Sequence, residues 1–74
     1  MNYIKTVQEV IDYIEKNLSE DLSIETLSNL AYISPYHFSR IFKGLIGITI
    51  QEYIRRRRLS EGAKQLLNSN KNVL

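Results

Sequence analysis

The 74-residue sequence contains no cysteine and only one histidine, His37. Without cysteine, the chain has no disulfide framework, no thiolate ligand for zinc and no cysteine nucleophile. A single histidine makes no metal site on its own, and His37 has no orienting acid with which to activate Ser34 or Ser39. We therefore expect no catalytic site, no metal site and no cofactor, and the sequence indicates that the protein is not an enzyme.

Long apolar runs are absent as well. No stretch approaches the roughly 18 consecutive apolar residues that a transmembrane helix needs, and the first residues do not resemble a signal peptide. We therefore expect no membrane partner and a cytoplasmic location, with which the lack of cysteine agrees. Apolar residues still make up 43% of the chain, which is sufficient for one small core of marginal stability.

Glycine and proline are scarce, with three glycines and one proline, and helical periodicity dominates the sequence. One apolar stripe predicts a first helix over about 3–18, and it consists of Ile4, Val7, Ile11, Ile14 and Leu18. Ser23, a favourable N-cap residue, precedes a second helix predicted over about 24–31. The predicted inner face of this second helix consists of Ile24, Leu27, Leu30 and Ala31.

The signals for helix ends recur in the second half of the chain. Ser34 and Pro35 suit the N-cap and the first turn of a third helix over about 35–44. Gly47 can adopt a positive φ after that helix, and Thr49 with Glu52 forms a capping box. A long helix is therefore predicted over 49–68. The whole pattern indicates an all-α, homeodomain-like bundle of four helices: a three-helix unit over 1–48, the long helix, and a truncated start of a further unit over 69–74.

The short connection between the second and third helices is typical of a helix-turn-helix, whose second helix enters the major groove of DNA. At about 100° per residue, the third helix has one apolar and one polar face. The apolar face consists of Phe38, Ile41, Phe42 and Leu45, and the polar face of Tyr36, Ser39, Arg40 and Lys43. The polar face carries an aromatic edge, a hydroxyl and a guanidinium but no acid, and these groups can read base edges.

Charge is distributed unevenly along the chain. Residues 1–34 hold two basic and six acidic side chains, whereas residues 35–74 hold eight basic and two acidic side chains. A basic second half indicates a polyanionic partner, and Lys43 and the N-terminal end of the third helix at Ser34 suit phosphates. The alternative is a small helical bundle with an ordinary cationic surface, which serves protein interaction without DNA specificity.

The apolar stripe of the long helix changes sides halfway along. Ile50, Tyr53 and Ile54 share one side, whereas Leu59, Ala63 and Leu66 lie on the other. The second group has no partner within the chain, so we expect it to be exposed or covered by another copy. In the run Arg55 to Arg58, Arg57 falls on the side of Ile50 and is interpreted as structural, while Arg55 and Arg56 are better candidates for DNA contacts.

Three stretches together resemble the AraC/XylS family of bacterial transcription regulators. They are Leu27 to Lys43 with the sequence LSNLAYISPYHFSRIFK, Gly47 with Glu52-Tyr53-Ile54, and the run from Arg55 and Arg57 through Leu59 and Ala63 to Leu66-Leu67. In that family, a linker helix joins two helix-turn-helix units that bind double-stranded DNA in successive major grooves. The resemblance implies that this chain is the first unit with its linker helix, that the second unit is missing, and that the protein acts at the bacterial nucleoid.

The resemblance also implies roles for individual residues. Matching positions assign base contacts to Tyr36, Ser39 and Arg40. Phosphate contacts are assigned to Ser34, Pro35, Lys43 and some of the linker arginines, among which helix geometry favours Arg55 and Arg56. Separately from the resemblance, His37 borders the outward face of the third helix and is interpreted as a boundary residue that can reach a phosphate when protonated. Tyr32 departs from the family pattern, because glycine often occupies this turn position and tyrosine disfavours a positive φ. We therefore expect a strained or locally different turn.

Overall fold

The structure is a computed structural model that describes residues 2–69, with side chains described as far as Leu66. Four α-helices make up this range: α1 (Tyr3–Lys16), α2 (Ile24–Ala31), α3 (Pro35–Ile46) and α4 (Ile50–Ser69). The predicted all-α, four-helix class is confirmed. Relative to the predicted bounds, α1 ends two residues earlier and α3 continues two residues further. Of the segment 69–74, Ser69 belongs to α4 and the remaining residues lie outside the described part.

Side-chain caps fix where the helices begin. The Oγ of Ser23 accepts a 3.1 Å hydrogen bond from the backbone N–H of Thr26, and Ser34 caps α3 in the same manner with Pro35 at the first helical position. Thr49 caps α4 by accepting from the N–H of Glu52 at 3.1 Å. Only this half of the predicted capping box forms. The Glu52 carboxylate binds two arginines of α4 instead of returning to the cap residue.

One core joins the first three helices to the first turns of α4. Its buried side chains are Val7, Val10 and Ile14 of α1, Leu27 and Ala31 of α2, Phe38 and Phe42 of α3, and Ile50 and Ile54 of α4. Burial of one of the larger side chains in this set contributes about 1.5–3 kcal/mol. The rings of Phe42 and Tyr53 pack edge to face with centroids 5.7 Å apart. The start of α4 is therefore part of the same folded unit as α3.

Three residues predicted on inner faces are largely exposed: Ile4 at 71%, Leu30 at 43% and Leu45 at 47%. Ile4 and Leu45 lie in the outermost turns of α1 and α3, where each helix extends past the core. Leu30 is exposed because the buried face of α2 is rotated towards Ser28. The Ser28 side chain is fully buried, and its hydroxyl donates to the carbonyl of Glu25 at 3.1 Å, which satisfies the polar group inside the core.

None of the helices in the described range combines the length and the apolar character required to cross a bilayer.

Candidate nucleic-acid interface

The turn between α2 and α3 is closed by a tyrosine in the left-handed region. Tyr32 has φ 61° and ψ 32°, a conformation that costs a non-glycine residue roughly 1–2 kcal/mol. Two backbone hydrogen bonds hold the turn: the N–H of Tyr32 donates to Asn29, and that of Ile33 donates to Ser28. The turn therefore has the left-handed geometry that glycine would adopt freely, with a strained residue in its place. The Tyr32 side chain is 89% exposed, so burial offsets little of this cost.

The face of α3 that points away from the core carries the three predicted base-reading residues together with Lys43, a predicted phosphate contact. Tyr36, Arg40 and Lys43 are exposed, and Ser39 is half-buried. Nη1 of Arg40 donates a 3.1 Å hydrogen bond to the Tyr36 hydroxyl, and the guanidinium carbon lies 5.8 Å from the centre of the tyrosine ring. These two contacts orient the arginine along the helix before any ligand arrives.

A cleft separates this face of α3 from the first turn of α4. Its lining consists of Tyr36, Ser39, Arg40, Lys43 and Gly44 on one side and Thr49, Ile50 and Gln51 on the other. The four residues of the predicted polar face thus share one surface with the N-terminal end of α4. Sequence reasoning missed the α4 side of this cleft, because the angle between two helices leaves no periodic signal in either helix.

The predicted phosphate contacts of the α3 start are arranged around its N-terminus. Ser34, Pro35 and His37 are all exposed. The Ser34 Oγ already accepts a hydrogen bond from the N–H of His37 at 3.2 Å. The imidazole of His37 lies edge-on to the ring of Tyr3 on α1, with the centroids 6.0 Å apart. His37 therefore lies on the α1 side of α3, whereas Arg40 lies over Tyr36.

Arg55 and Arg56, the candidate phosphate contacts on α4, both bind the carboxylate of Glu52. The hydrogen bond from Arg55 is the main cause that lowers the pKa of Glu52, and Arg56 adds to it. The arginine side chains remain 63% and 62% exposed. Exposed ion pairs within one helix are weak, so a phosphate can compete with Glu52 for either guanidinium.

Arg57 and Arg58 point towards α1 instead. Arg57 donates to both carboxylate oxygens of Glu15, at 2.8 Å and 2.6 Å, and to Glu61 at 2.9 Å. Its interpretation as a structural residue is therefore confirmed. Arg58 donates to the carbonyls of Leu18 and Glu20 at 2.9 Å and 2.7 Å. Sequence reasoning missed this role, since a contact to backbone carbonyls requires no particular residue type at the accepting positions.

Residues 14–55 match the model of the bacterial regulatory helix-turn-helix proteins of the AraC family. The chain belongs to the AraC family. This match covers both helices of the helix-turn-helix and the start of α4, and it confirms the resemblance found in the sequence. The chain is therefore an AraC-family helix-turn-helix, a DNA-binding domain of transcription regulators.

Curated AraC-type relatives match most of the chain. The chain is 40% identical over 67 residues to the bifunctional transcriptional activator/DNA repair enzyme AdaA of Bacillus subtilis, which covers 90% of this chain and 32% of AdaA. It is 38% identical over 69 residues to the multiple antibiotic resistance protein MarA of Escherichia coli, covering 93% of this chain and 54% of MarA. It is 35% identical over 68 residues to the transcriptional activator AarP of Providencia stuartii, covering 92% of this chain and 50% of AarP.

The chain thus spans about half or less of the curated AraC-type relatives that it matches. The repair activity in the name of AdaA belongs to that protein, of which about two thirds lies outside the matched region. No solved structure gives a significant match to the chain.

Proposed function

We propose that this domain binds duplex DNA sequence-specifically, with α3 in the major groove, as part of a bacterial transcription regulator. The observation that carries the proposal is the exposed face of α3, where Tyr36, Ser39, Arg40 and Lys43 line one surface beside the start of α4. That face contains no acidic residue. A helix with this surface fits the width and the hydrogen-bonding pattern of the major groove.

Three residues are proposed to read bases. The guanidinium of Arg40 can donate to O6 and N7 of guanine, the Ser39 hydroxyl can donate or accept, and the Tyr36 ring can contact a thymine methyl. The hydrogen bond to Tyr36 uses one nitrogen of Arg40, and a guanidinium has five N–H donors. Donors therefore remain for a base edge while the Tyr36 contact persists.

A second set of residues is proposed to hold the phosphates, and it comprises Ser34, Pro35, His37, Lys43, Arg55 and Arg56. Free N–H groups at a helix N-terminus favour anions, which supports the role of the α3 start. Arg55 and Arg56 enter this set by exchanging Glu52 for a phosphate. Because phosphate contacts position the protein without reading sequence, we expect their loss to weaken binding to all duplexes alike.

The parent protein is proposed to regulate transcription in the cytoplasm at the bacterial nucleoid, and the activity of this domain is proposed to be binding without catalysis. A second helix-turn-helix unit beyond α4 would complete the DNA-binding region. One module buries only about 600–1,000 Å² on DNA, so the isolated chain should bind weakly and with strong dependence on salt.

The test begins with selection of preferred duplexes from a random DNA library, followed by fluorescence anisotropy from about 50 to 200 mM salt. Arg40→Ala should reduce affinity for the selected duplex by about 1–3 kcal/mol and relax the preference at one position. Lys43→Ala should weaken binding to all duplexes similarly. It should also reduce the slope of the logarithm of the binding constant against the logarithm of the salt concentration by about 1. Lys16→Ala removes an exposed cation from α1 and serves as the control, with an unchanged preference.

The competing function is protein interaction through the distal face of α4. Leu59 and Leu66 are 61% and 64% exposed, which favours a contact with another protein surface. Selection that yields no preferred duplex, or equal binding by wild type and Arg40→Ala, would favour this second function over the first.

A further inference from the structure

As far as Leu66, the distal half of α4 has no buried apolar residue that anchors it on the three-helix unit. Among the α4 side chains that the structure describes, Ile50 and Ile54 are buried, and from Arg55 to Leu66 none is fully buried. A helix of 20 residues is about 30 Å long, so the distal half extends well past its anchored turns. Apolar packing alone therefore leaves its direction weakly determined.

Polar contacts to α1 fix the direction of the distal half, which apolar packing leaves weakly determined. Both oxygens of Glu15 accept from Arg57, at 2.6 Å and 2.8 Å, and the Tyr53 hydroxyl donates to the same carboxylate at 3.3 Å. Arg57 and Glu15 retain side-chain exposures of only 26% and 34%. A bidentate pair of this kind fixes orientation as well as distance.

Arg58 adds a second attachment one residue further along α4. Its guanidinium donates to the carbonyls of Leu18 and Glu20, in the connection that follows α1. The two arginines contact points separated by several residues of α1 and its connection. Two separated attachments restrict both the tilt of α4 and its rotation, whereas one attachment would leave a pivot.

We infer that Glu15 and Arg57, with Arg58, are positioning residues that set the direction of the distal half of α4 relative to the DNA-binding helix α3. Residue 65 lies eleven residues beyond Ile54, about 16 Å along the helix, so a tilt of about 20° moves it by about 6 Å. Successive base pairs rise by about 3.4 Å. A tilt of that size would displace any DNA-binding unit attached beyond α4 by a distance comparable to nearly two base-pair rises.

The inference rests on the proposed function for its consequence on DNA, but its structural core can be tested without DNA. The chain contains no cysteine, so two exposed positions can be converted to cysteine and spin-labelled. Asn29→Cys on α2 with Gln65→Cys on α4 reports the direction of the distal half. Asn29→Cys with Gln51→Cys reports the anchored start of α4 and serves as the internal reference.

Pulsed electron paramagnetic resonance would measure both distances in the wild-type background and in Glu15→Gln, Arg57→Gln and Arg58→Gln. Glu9→Gln, on an exposed position of α1, is the matched control. We expect the distribution of distances between labels at 29 and 65 to broaden or shift in the three variants, by about 6 Å for a tilt of about 20°. The distance between labels at 29 and 51 should stay constant, and circular dichroism should show the wild-type helix content.

Unchanged 29–65 distances in Glu15→Gln and Arg57→Gln would overturn the inference. Broadening of both distances would also overturn it, because the variants would then disturb the anchored start of α4 and not the direction of its distal half alone. Failure of the proposed DNA binding would leave the distance result intact, so the two failures are distinguishable.

Discussion

Arg40 lies over the ring of Tyr36, and its Nη1 donates to the tyrosine hydroxyl at 3.1 Å. The two residues are four apart on α3, so their side chains lie on the same side of the helix. An exposed cation–π contact contributes about 0.5–1 kcal/mol. The contact therefore orders a long side chain before binding and reduces the entropy that binding would otherwise cost.

Replacement of Tyr36 by phenylalanine should weaken DNA binding while leaving the fold intact. Tyr36→Phe retains the ring and removes the hydroxyl that accepts from Arg40. We expect a loss of about 0.5–1.5 kcal/mol in binding to the selected duplex, the usual net contribution of one hydrogen bond. Anisotropy titration measures this loss, and Tyr32→Phe, which removes a hydroxyl from another exposed tyrosine, is the control. Equal affinity of Tyr36→Phe and wild type would show that the hydroxyl does not prepare Arg40 for binding.

The strained turn predicts that Tyr32→Gly will stabilise the protein. Glycine adopts φ 61° without the penalty paid by tyrosine, although it also increases the entropy of the unfolded chain by about 0.5–1 kcal/mol. The net gain in the free energy of unfolding should be about 0–1.5 kcal/mol. Tyr32→Ala keeps the strain and removes the side chain, so it should give no gain. Urea denaturation of the three proteins measures the difference, and a gain in Tyr32→Ala equal to that in Tyr32→Gly would refute the role of strain.

The contact between Glu15 and Arg57 predicts a pH dependence of stability. Hydrogen bonds from Arg57 are the largest cause that lowers the pKa of Glu15 below its ordinary value of 4.5, and burial opposes them. Because the folded pKa is below the unfolded one, the contact stabilises the fold above the ordinary pKa. This contribution disappears as pH falls through the lowered folded pKa.

The melting temperature of the wild type should therefore fall as the pH is lowered from about 5 to about 3. The melting temperature of Glu15→Gln should fall less steeply over the same range. Glu52 and Glu61 also have lowered pKa values, so part of the dependence should remain in the variant. Glu9→Gln is the control and should follow the wild-type curve. If Glu15→Gln also follows that curve, the ion pair makes no measurable contribution to the fold.

A buried leucine of α2 and an exposed leucine of α4 predict responses of different size to the same truncation. Leu27 is fully buried in the core, and Leu27→Ala should cost about 2–5 kcal/mol of unfolding free energy. Leu59 is 61% exposed, and Leu59→Ala should cost less than about 0.5 kcal/mol. Thermal unfolding at several protein concentrations measures both effects. A cost for Leu59→Ala that grows with protein concentration would instead show that a second copy covers Leu59, Ala63 and Leu66.

Local signals made the helix starts and the class of fold predictable. Ser23, Ser34 and Thr49 are short polar residues ahead of helical periodicity, and each caps a helix in the structure. The left-handed turn at Tyr32 was also predictable, because the family resemblance marks that position as one that glycine often fills. Helix caps and tight turns depend on residues that are close together in the chain, so the sequence alone is sufficient to predict them.

Relationships between helices were predicted less well. Leu30 was placed inside because the apolar pattern of α2 does not reveal that its buried face is rotated towards Ser28. Arg58 was missed because its acceptors are backbone carbonyls of Leu18 and Glu20. The burial of Leu30 and the partners of Arg58 both depend on the angle at which two helices meet. That angle is set by the whole core rather than by either helix alone.

The change of side along α4 also makes its length a constraint during evolution. Ile54 faces the core of the three-helix unit, whereas Leu59 lies on the exposed side. One residue inserted between them would rotate everything that follows by about 100° and advance it by about 1.5 Å. An insertion placed before Arg57 would also turn that residue away from Glu15. We therefore expect related domains to tolerate exchanges of side chains along α4 far better than any gain or loss of a residue. The number of residues in α4 should vary less than their identity.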